Sequence, residues 1–465
     1  MILPEPHPNP NGGRTLTTRI ILVRHGESSF NVERRVQGHW DKSTLTDAGR
    51  ATALQVGAAL SDLKFDAVYS SPLSRARDTA NLILSCLKSP PATPFQTTDN
   101  LKEINLVLWE GLLFTEVEAR YPEEYHNWKY APDQVRMAIP GPDGQPTNFY
   151  PVPALYEQAK NFWKELLPQH QGQTVLLVAH SGINRALISA AAGLNCDRYQ
   201  SFHISNCGIS VLNFAGGWDD PVQLESINLT AHLGQPVPKP KTGLKGPRFL
   251  LIRHGETDWN RQQRFQGQID VPLNANGRVQ SQQAAEFLKS VPIHYATTSP
   301  MLRPKETAEI ILKYHPDVAL DLEDNLKEIS HGLWEGKLEA EIEQSYPGAL
   351  EQWQRSPETV QMPEGENLQQ VWGRAISAWD SIVKAARDRP EPGTTLVVAH
   401  DAINKAILCY IMGLGPEYFW TFKQGNGAVS VIDYANDAGE KPVLTAMNIT
   451  THLGSVLDKT AAGAL

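Results

Sequence analysis

The sequence predicts an α/β protein of two tandem three-layer αβα domains, each a mostly parallel sheet with helices on both faces. Three observations predict it: motifs written twice in the same order, short continuous runs of leucine and β-branched residues, and helix-start signals placed between those runs. At 465 residues the chain also exceeds the size at which one core keeps growing.

The duplication is seen first. "LVRHGESSFN" (Leu22–Asn31) returns as "LIRHGETDWN" (Leu251–Asn260), and Gln37-Gly38 as Gln266-Gly267. "SSPLSRARDTA" (Ser70–Ala80) returns as "TSPMLRPKETA" (Thr298–Ala308), and "LKEI" at Leu101 and Leu326 is followed each time by Trp-Glu-Gly. "VAHSGINRALI" (Val178–Ile188) returns as "VAHDAINKAIL" (Val398–Leu408). The separation falls from 229 residues between His25 and His254 to 220 between His180 and His400, so the second copy has shorter loops in an unchanged order. A period this long is a duplicated domain, since solenoid repeats are far shorter. The expected layout is a disordered leader at 1–18, domains at 19–234 and 248–455, a linker at 235–247 and a tail at 456–465. The linker is rich in Pro, Gly and Lys and reads as exposed and semi-stiff.

Within each copy the elements follow in order. "RIILV" and "RFLLI" open as strands buried on both faces, as do the later "TVLLVA" and "TLVVA". Thr46 and Asn274 are N-caps for the helices that follow. Ser71-Pro72 and Ser299-Pro300 place proline at the start of the next helix. In such sheets ligands sit beyond the carboxyl ends of the strands, where both Arg-His-Gly turns and both Ala-His turns fall.

Composition narrows the function classes. No run of 18 apolar residues exists to cross a membrane, and a net charge of −9 argues against a nucleic-acid partner. The start "MILPEPHPNPNGG" resembles neither a signal nor a transit peptide, which points to the cytoplasm. Cys86, Cys196, Cys207 and Cys409 form no CxxC pair and read as buried thiols. No two of the fourteen histidines stand at zinc-ligand spacing, so neither metal nor cofactor is expected. The expected partner is a small-molecule phosphate ester, and a homodimer is an admissible assembly.

The strand ends carry Arg24, His25, Arg75 and His180 in copy 1, with Glu103 on a loop; copy 2 has Arg253, His254, Arg303, His400 and Glu328. Permanently charged, forked guanidinium groups suit a tetrahedral anion. A histidine between them can take a phosphoryl group covalently, and a carboxylic acid can protonate the poor alkoxide leaving group. The second histidine and the arginines would hold the equatorial oxygens.

These blocks together resemble the histidine phosphatase superfamily, over nearly all of both copies, and imply its phosphoglycerate mutase-like fold. By that resemblance His25 and His254 are the phosphorylated histidines and Glu103 and Glu328 the proton donors. Arg24, Arg75, His180, Arg253, Arg303 and His400 bind the phosphoryl group, and Asn31 and Asn260 add a contact. The superfamily's mutases carry a basic insertion after the acid glutamate. Neither "LKEINLVLWEGLLF" nor "LKEISHGLWEGKLE" has it, which favours release to water over mutase-type transfer. Copy 1, with "FYPVPALYEQA" and "SNCGISVLNF", further resembles double-domain phosphatases of 2-carboxy-D-arabinitol 1-phosphate, which makes copy 1 the expected main catalyst. A third reading keeps one copy as a non-catalytic phosphate-binding regulator.

Each signal has a plainer reading. One histidine after a buried strand would ordinarily just donate to a backbone carbonyl. Arg75 and Arg303 could be solvated first-turn residues, although positive charge there opposes the helix dipole unless an anion is bound. Trp109, Trp334, Trp128 and Trp353 read as packing residues of a lid, formed in copy 1 by 112–153. Asn206 and Asn426 could merely cap a turn. Asp401, beside His400, would repel an anion if its carboxylate faced the pocket.

Overall fold

The computed structural model describes residues 17–141, 144–241, 243–436, 439–454 and 457. The expected disordered leader therefore lies outside the described residues except at 17 and 18, where Thr18 already starts a strand. The expected tail lies outside them except at 457. The chain parts into two compact units between Gln235 and Pro236.

The first unit runs β1 (Thr18–Arg24), α1 (Ser29–Glu33), α2 (Asp47–Ala59), β2 (Ala67–Ser70), α3 (Ser74–Leu84), β3 (Gln96–Thr97), α4 (Phe114–Arg120) and α5 (Pro122–Tyr130). It continues with β4 (Met137–Pro140), β5 (Pro146–Phe149), α6 (Pro151–Leu166), β6 (Thr174–Ala179), α7 (Ser181–Ala191), β7 (Ile209–Phe214) and β8 (Val222–Leu229). Its main sheet has the order β8-β7-β1-β6-β2-β3. The β1, β6, β2 and β3 pairings are parallel, while β7 runs antiparallel to both β1 and β8. The antiparallel hairpin β7–β8 is an addition that the apolar runs did not distinguish from further parallel strands.

The second unit repeats the plan with β9 (Arg248–Arg253), α8 (Asp258–Arg261), α9 (Ala275–Leu288), β10 (Tyr295–Thr298), α10 (Leu302–Leu312) and β11 (Leu320–Leu322). Then follow α11 (Glu339–Ser345), α12 (Ala349–Arg355), α13 (Leu368–Arg387), β12 (Thr394–Ala399), α14 (Asp401–Met412), β13 (Val429–Asp433) and β14 (Val443–Ile449). The strand order is β14-β13-β9-β12-β10-β11. In both units the central strands are buried on both faces: Ile20 to Val23 and Phe249 to Ile252 are at most 1% exposed. Helices pack in pairs, α2 with α3 and α6 with α7, then α9 with α10 and α13 with α14, so each sheet is covered on two sides.

Local signals act as expected at the caps. Thr46 Oγ1 accepts from Gly49 N at 3.0 Å, and Asn274 Oδ1 from Gly277 N at 2.8 Å. Two expectations need correction. Pro72 and Pro300 stand before the N-caps Leu73 and Met301 rather than inside the first turn, so they stiffen the approach and leave Arg75 and Arg303 as second helical residues. The linker is not simply exposed. Pro238 is buried, and its carbonyl accepts from Arg248 Nη1 at 3.0 Å while Arg248 also grips Asp433 through two bonds.

Register builds the sites. Arg24 is level with Ala179 across the parallel pair β1–β6, so His25 and His180 leave adjacent strands side by side; Arg253 and Ala399 do the same for His254 and His400. The chain then passes close against the next helix at Gly26 and Gly255. A Cβ on Gly26 would stand 2.4 Å from Gly49 O in the first turn of α2, and one on Gly255 2.4 Å from Gly277 O. Backbone meets backbone there, which explains both the RHG glycine and the one in "DAGR" and "ANGR". Gly26→Ala should therefore destabilise the first unit, and Gly255→Ala the second, by about 1–3 kcal/mol through overpacking. Urea unfolding should show a lower midpoint at unchanged slope.

Candidate active sites

At the mouth of each sheet the first histidine is fixed in one tautomer. His25 Nδ1 lies 2.7 Å from Gly26 O and His254 Nδ1 2.7 Å from Gly255 O. A carbonyl can only accept, so Nδ1 carries the proton and Nε2 presents a lone pair. Both rings are 2% exposed, and burial first, then Arg75 and Arg24, holds His25 well below the usual histidine range. For His254 the causes are the same, with Arg303 and Arg253. Each ring is thus neutral at pH 7, with Nε2 unprotonated. In the second unit Arg303 Nε points at His254 Nε2, 3.2 Å away.

The arginines are braced from behind. Arg24 Nη1 donates to Ile204 O and Arg253 Nη1 to Gln424 O, each at 2.7 Å. Arg75 Nη2 donates to Gly38 O at 3.0 Å and Arg303 Nη2 to Gly267 O at 2.8 Å, which gives the repeated Gln-Gly block its place. Among the described residues no acceptor meets Arg24 Nε, Arg75 Nε or Arg253 Nε, and neither ring nitrogen of His180 has a partner. Burial pulls Arg24 and Arg303 down to about 10, which still leaves both charged at neutral pH. His180 stands edge-on to His25 with centroids 5.1 Å apart, and His400 to His254 at 5.2 Å. Buried donors converging around a histidine nitrogen make a cradle for a tetrahedral oxyanion.

Asn31 and Asn260 complete the rim. Asn31 Oδ1 accepts from Ser28 N and from Asn206 Nδ2, and Asn260 Oδ1 from Thr257 N and Asn426 Nδ2. Asn260 Nδ2 is buried without a described partner. Asn206 and Asn426 do more than cap a turn, for each also donates to the backbone carbonyl of the adjacent histidine, at 2.9 and 3.1 Å. Sequence reasoning missed three supports. Thr79 and Thr307 hold the amides of Gly26 and Gly255, Gln37 and Gln266 accept from the Ser28 and Thr257 hydroxyls, and His39 Nε2 donates to Glu103 O. The first two pairs lie within repeated blocks, so duplication itself was their signal. His39 has Gln268 as its counterpart and left no such trace. The tryptophans pack as expected: Trp109 and Trp334 are fully buried, and Trp128 packs edge-on against Trp109.

The histidine phosphatase superfamily (branch 1) model matches residues 20–226 and again 249–450. The chain belongs to the histidine phosphatase superfamily. It is 30% identical over 94% of its length to a 2-carboxy-D-arabinitol-1-phosphatase of Triticum aestivum, covering 86% of that protein. A probable 2-carboxy-D-arabinitol-1-phosphatase of Arabidopsis thaliana is 29% identical over 94% of the chain and 88% of the relative. Phosphoserine phosphatase 1 of Hydrogenobacter thermophilus matches at 31% over 47% of the chain and 95% of its own length. This histidine phosphatase is accordingly a hydrolase of phosphoric monoesters.

The two candidate sites differ at the glutamate. Glu103, half-buried, accepts from Gly182 N and Ile183 N, both at 3.1 Å, at the start of α7. Glu328 is 5% exposed and keeps only one bond of this kind, from Ala402 N at 3.2 Å. The cause is a methyl group: a Cβ at Gly182 would lie 2.3 Å from Glu103 Oε1, and the second copy carries that carbon in Ala402. Burial first, then Asp401, pushes Glu328 up to about 7.

Asp401 itself is turned to Lys405, 2.6 Å away, with its other oxygen 3.7 Å from Arg253 Nη1. Its negative charge is thus partly cancelled, yet it competes for one of the arginines. Glutamate-labelled carbon NMR should show one carboxyl titrating near pH 7 that disappears in Glu328→Gln. In Asp401→Asn that transition should move to lower pH, because a charge opposing ionisation has been removed.

Proposed function

We propose that this histidine phosphatase hydrolyses a small phosphorylated sugar or sugar acid without a metal, through a phosphohistidine intermediate, with the first site as the main catalyst. One observation carries the reading: His25 Nε2 is kept unprotonated by the Nδ1–H bond to Gly26 O, beside unpartnered guanidinium and imidazole donors. In the first step His25 Nε2 attacks phosphorus and the ester P–O bond breaks. The proton of the Glu103 carboxyl passes to the leaving alkoxide. In the second step water attacks the phosphohistidine, returns a proton to Glu103 and releases inorganic phosphate as the N–P bond breaks. Arg24, Arg75, His180 and Asn31 hold the equatorial oxygens, where charge stabilisation dominates phosphoryl transfer.

The second site has the same parts in His254, Arg253, Arg303, His400, Asn260 and Glu328. Asp401 beside Arg253 supports a lesser share of turnover there. The full-length likeness to the Triticum aestivum protein supports 2-carboxy-D-arabinitol 1-phosphate as the substrate to try first.

Activity on an aryl phosphate should survive excess chelator and vanish in the His25→Ala, His254→Ala double variant. Acid-free quenching with labelled substrate should leave phosphate on imidazole, and a complete lack of label would falsify the mechanism. Glu103→Gln should slow alkyl phosphates far more than aryl phosphates, whose phenolates leave without a proton. In His25→Ala protein, kcat/KM for an alkyl phosphate should fall about tenfold from pH 6 to pH 8, because Glu328 donates only while protonated. An aryl phosphate measured alongside should lack that limb.

A further inference from the structure

One cation beside the first site has no task in the phosphoryl chemistry. Arg185 stands one turn into α7 after Ser181, half-buried, with its guanidinium carbon 5.6 Å from the centre of the Tyr199 ring. Its Nη1 donates to Gln200 Oε1 at 3.3 Å, and Gln200 Nε2 in turn holds Trp128 O of α5 at 3.1 Å. Arg185 Nε is buried without a described partner, and among the described residues no carboxylate pairs with this side chain. Its charge is felt at Arg24, whose guanidinium it helps to hold down. It also borders the acid: a Cβ on Gly182 would lie 2.6 Å from Tyr199 Oη and 2.3 Å from Glu103 Oε1, so tyrosine, glutamate and helix start share one corner. That corner is where the alcohol portion of an ester must sit if Glu103 protonates it.

The second copy changes this corner at several positions, two of which alter its charge. Lys405 replaces Arg185 and Asp401 replaces Ser181, and the two form a buried ion pair at 2.6 Å. Lys405 Nζ is also seated 4.4 Å from the Trp420 ring centre. Trp420 Nε1 meanwhile takes over the lid bond of Gln200, donating to Trp353 O at 3.0 Å. So the same helix face offers an uncompensated, forked cation in one site and a neutralised one in the other.

We propose that Arg185 receives a carboxylate carried on the alcohol portion of the ester, so that the first site selects phosphorylated sugar acids. The second site, with Lys405 bound to Asp401, takes monoesters whose alcohol portion bears no second anion. This rests on the phosphatase reading above and adds which substrate charge each site accepts. A guanidinium that lacks an anionic partner gains most from a planar carboxylate it can grip through two N–H groups. A resident aspartate removes that gain and repels the incoming charge.

The test uses the full chain with His254→Ala, so that only the first site turns over. Two probes are compared: 3-phosphoglycerate, and glycerol 3-phosphate, in which a hydroxymethyl group replaces the carboxylate. The ratio of their kcat/KM values should fall about ten- to a hundredfold in both Arg185→Gln and Ser181→Asp, as expected for loss of a charge-assisted contact. Arg185→Lys should keep part of it. In the reciprocal His25→Ala background, Asp401→Ser should raise the ratio. A ratio that stays within about twofold of the parent's in both Arg185→Gln and Ser181→Asp overturns the proposal. Failure of the parent to release phosphate from either probe or from an aryl phosphate overturns the phosphatase reading instead, and is told apart by that parent control. Ser181→Asp guards against a folding artefact, since an acid at a helix start is structurally favoured.

Discussion

The hydrogen bond from His25 Nδ1 to the carbonyl of the very next residue, repeated at His254, is the constraint on which the rest depends. It decides which ring nitrogen can act and which way it faces. At Gly26 the backbone passes so close to α2 that α2 presents a glycine of its own, Gly49, against it. Thr79, bonded to Gly26 N and to Arg75 O, ties the same segment to α3 and hence to Arg75. Strand, turn and two helices are thus welded at one point.

Around this turn the protein gathers positive charge that its net charge of −9 conceals. Buried guanidinium groups are costly unless anchored, and carbonyl oxygens of Ile204, Gly38, Gln424 and Gly267 anchor them, while Arg253 alone of the four also has a carboxylate, Asp401, 3.7 Å away. Neutral acceptors satisfy the outer N–H groups without cancelling the charge, which stays available to an anion. The histidines are kept neutral by the same burial and the same arginines. One environment therefore keeps neutral imidazoles beside charged guanidinium groups.

Duplication let the two sites diverge without touching that turn. The first turn of the helix after the last sheet crossover takes Ser181-Gly182 in one and Asp401-Ala402 in the other. A single methyl moves the acid off one amide, and a single carboxylate pairs with the lysine and leans on Arg253. Arg253, His254 and Arg303 keep their places through both changes because they are fixed from other elements, namely β9, α10 and the loop before β13.

Much of this was legible in the chain alone. Apolar runs, capping residues and repeated blocks determined the α/β plan, the duplication and the strand-end histidines and arginines, because periodicity and local hydrogen bonding are written in neighbouring residues. The antiparallel edge strands, the packed linker at Pro238 and the tautomer of His25 belonged to the tertiary structure. So did the direction of Asp401 and the contrast between Arg185 and Lys405. Each depends on atoms far apart in sequence: a strand's direction on its partner, a side chain's charge on what is buried beside it. Local pattern can nominate a residue for a site, whereas its protonation and its partner are set only when distant segments pack around it.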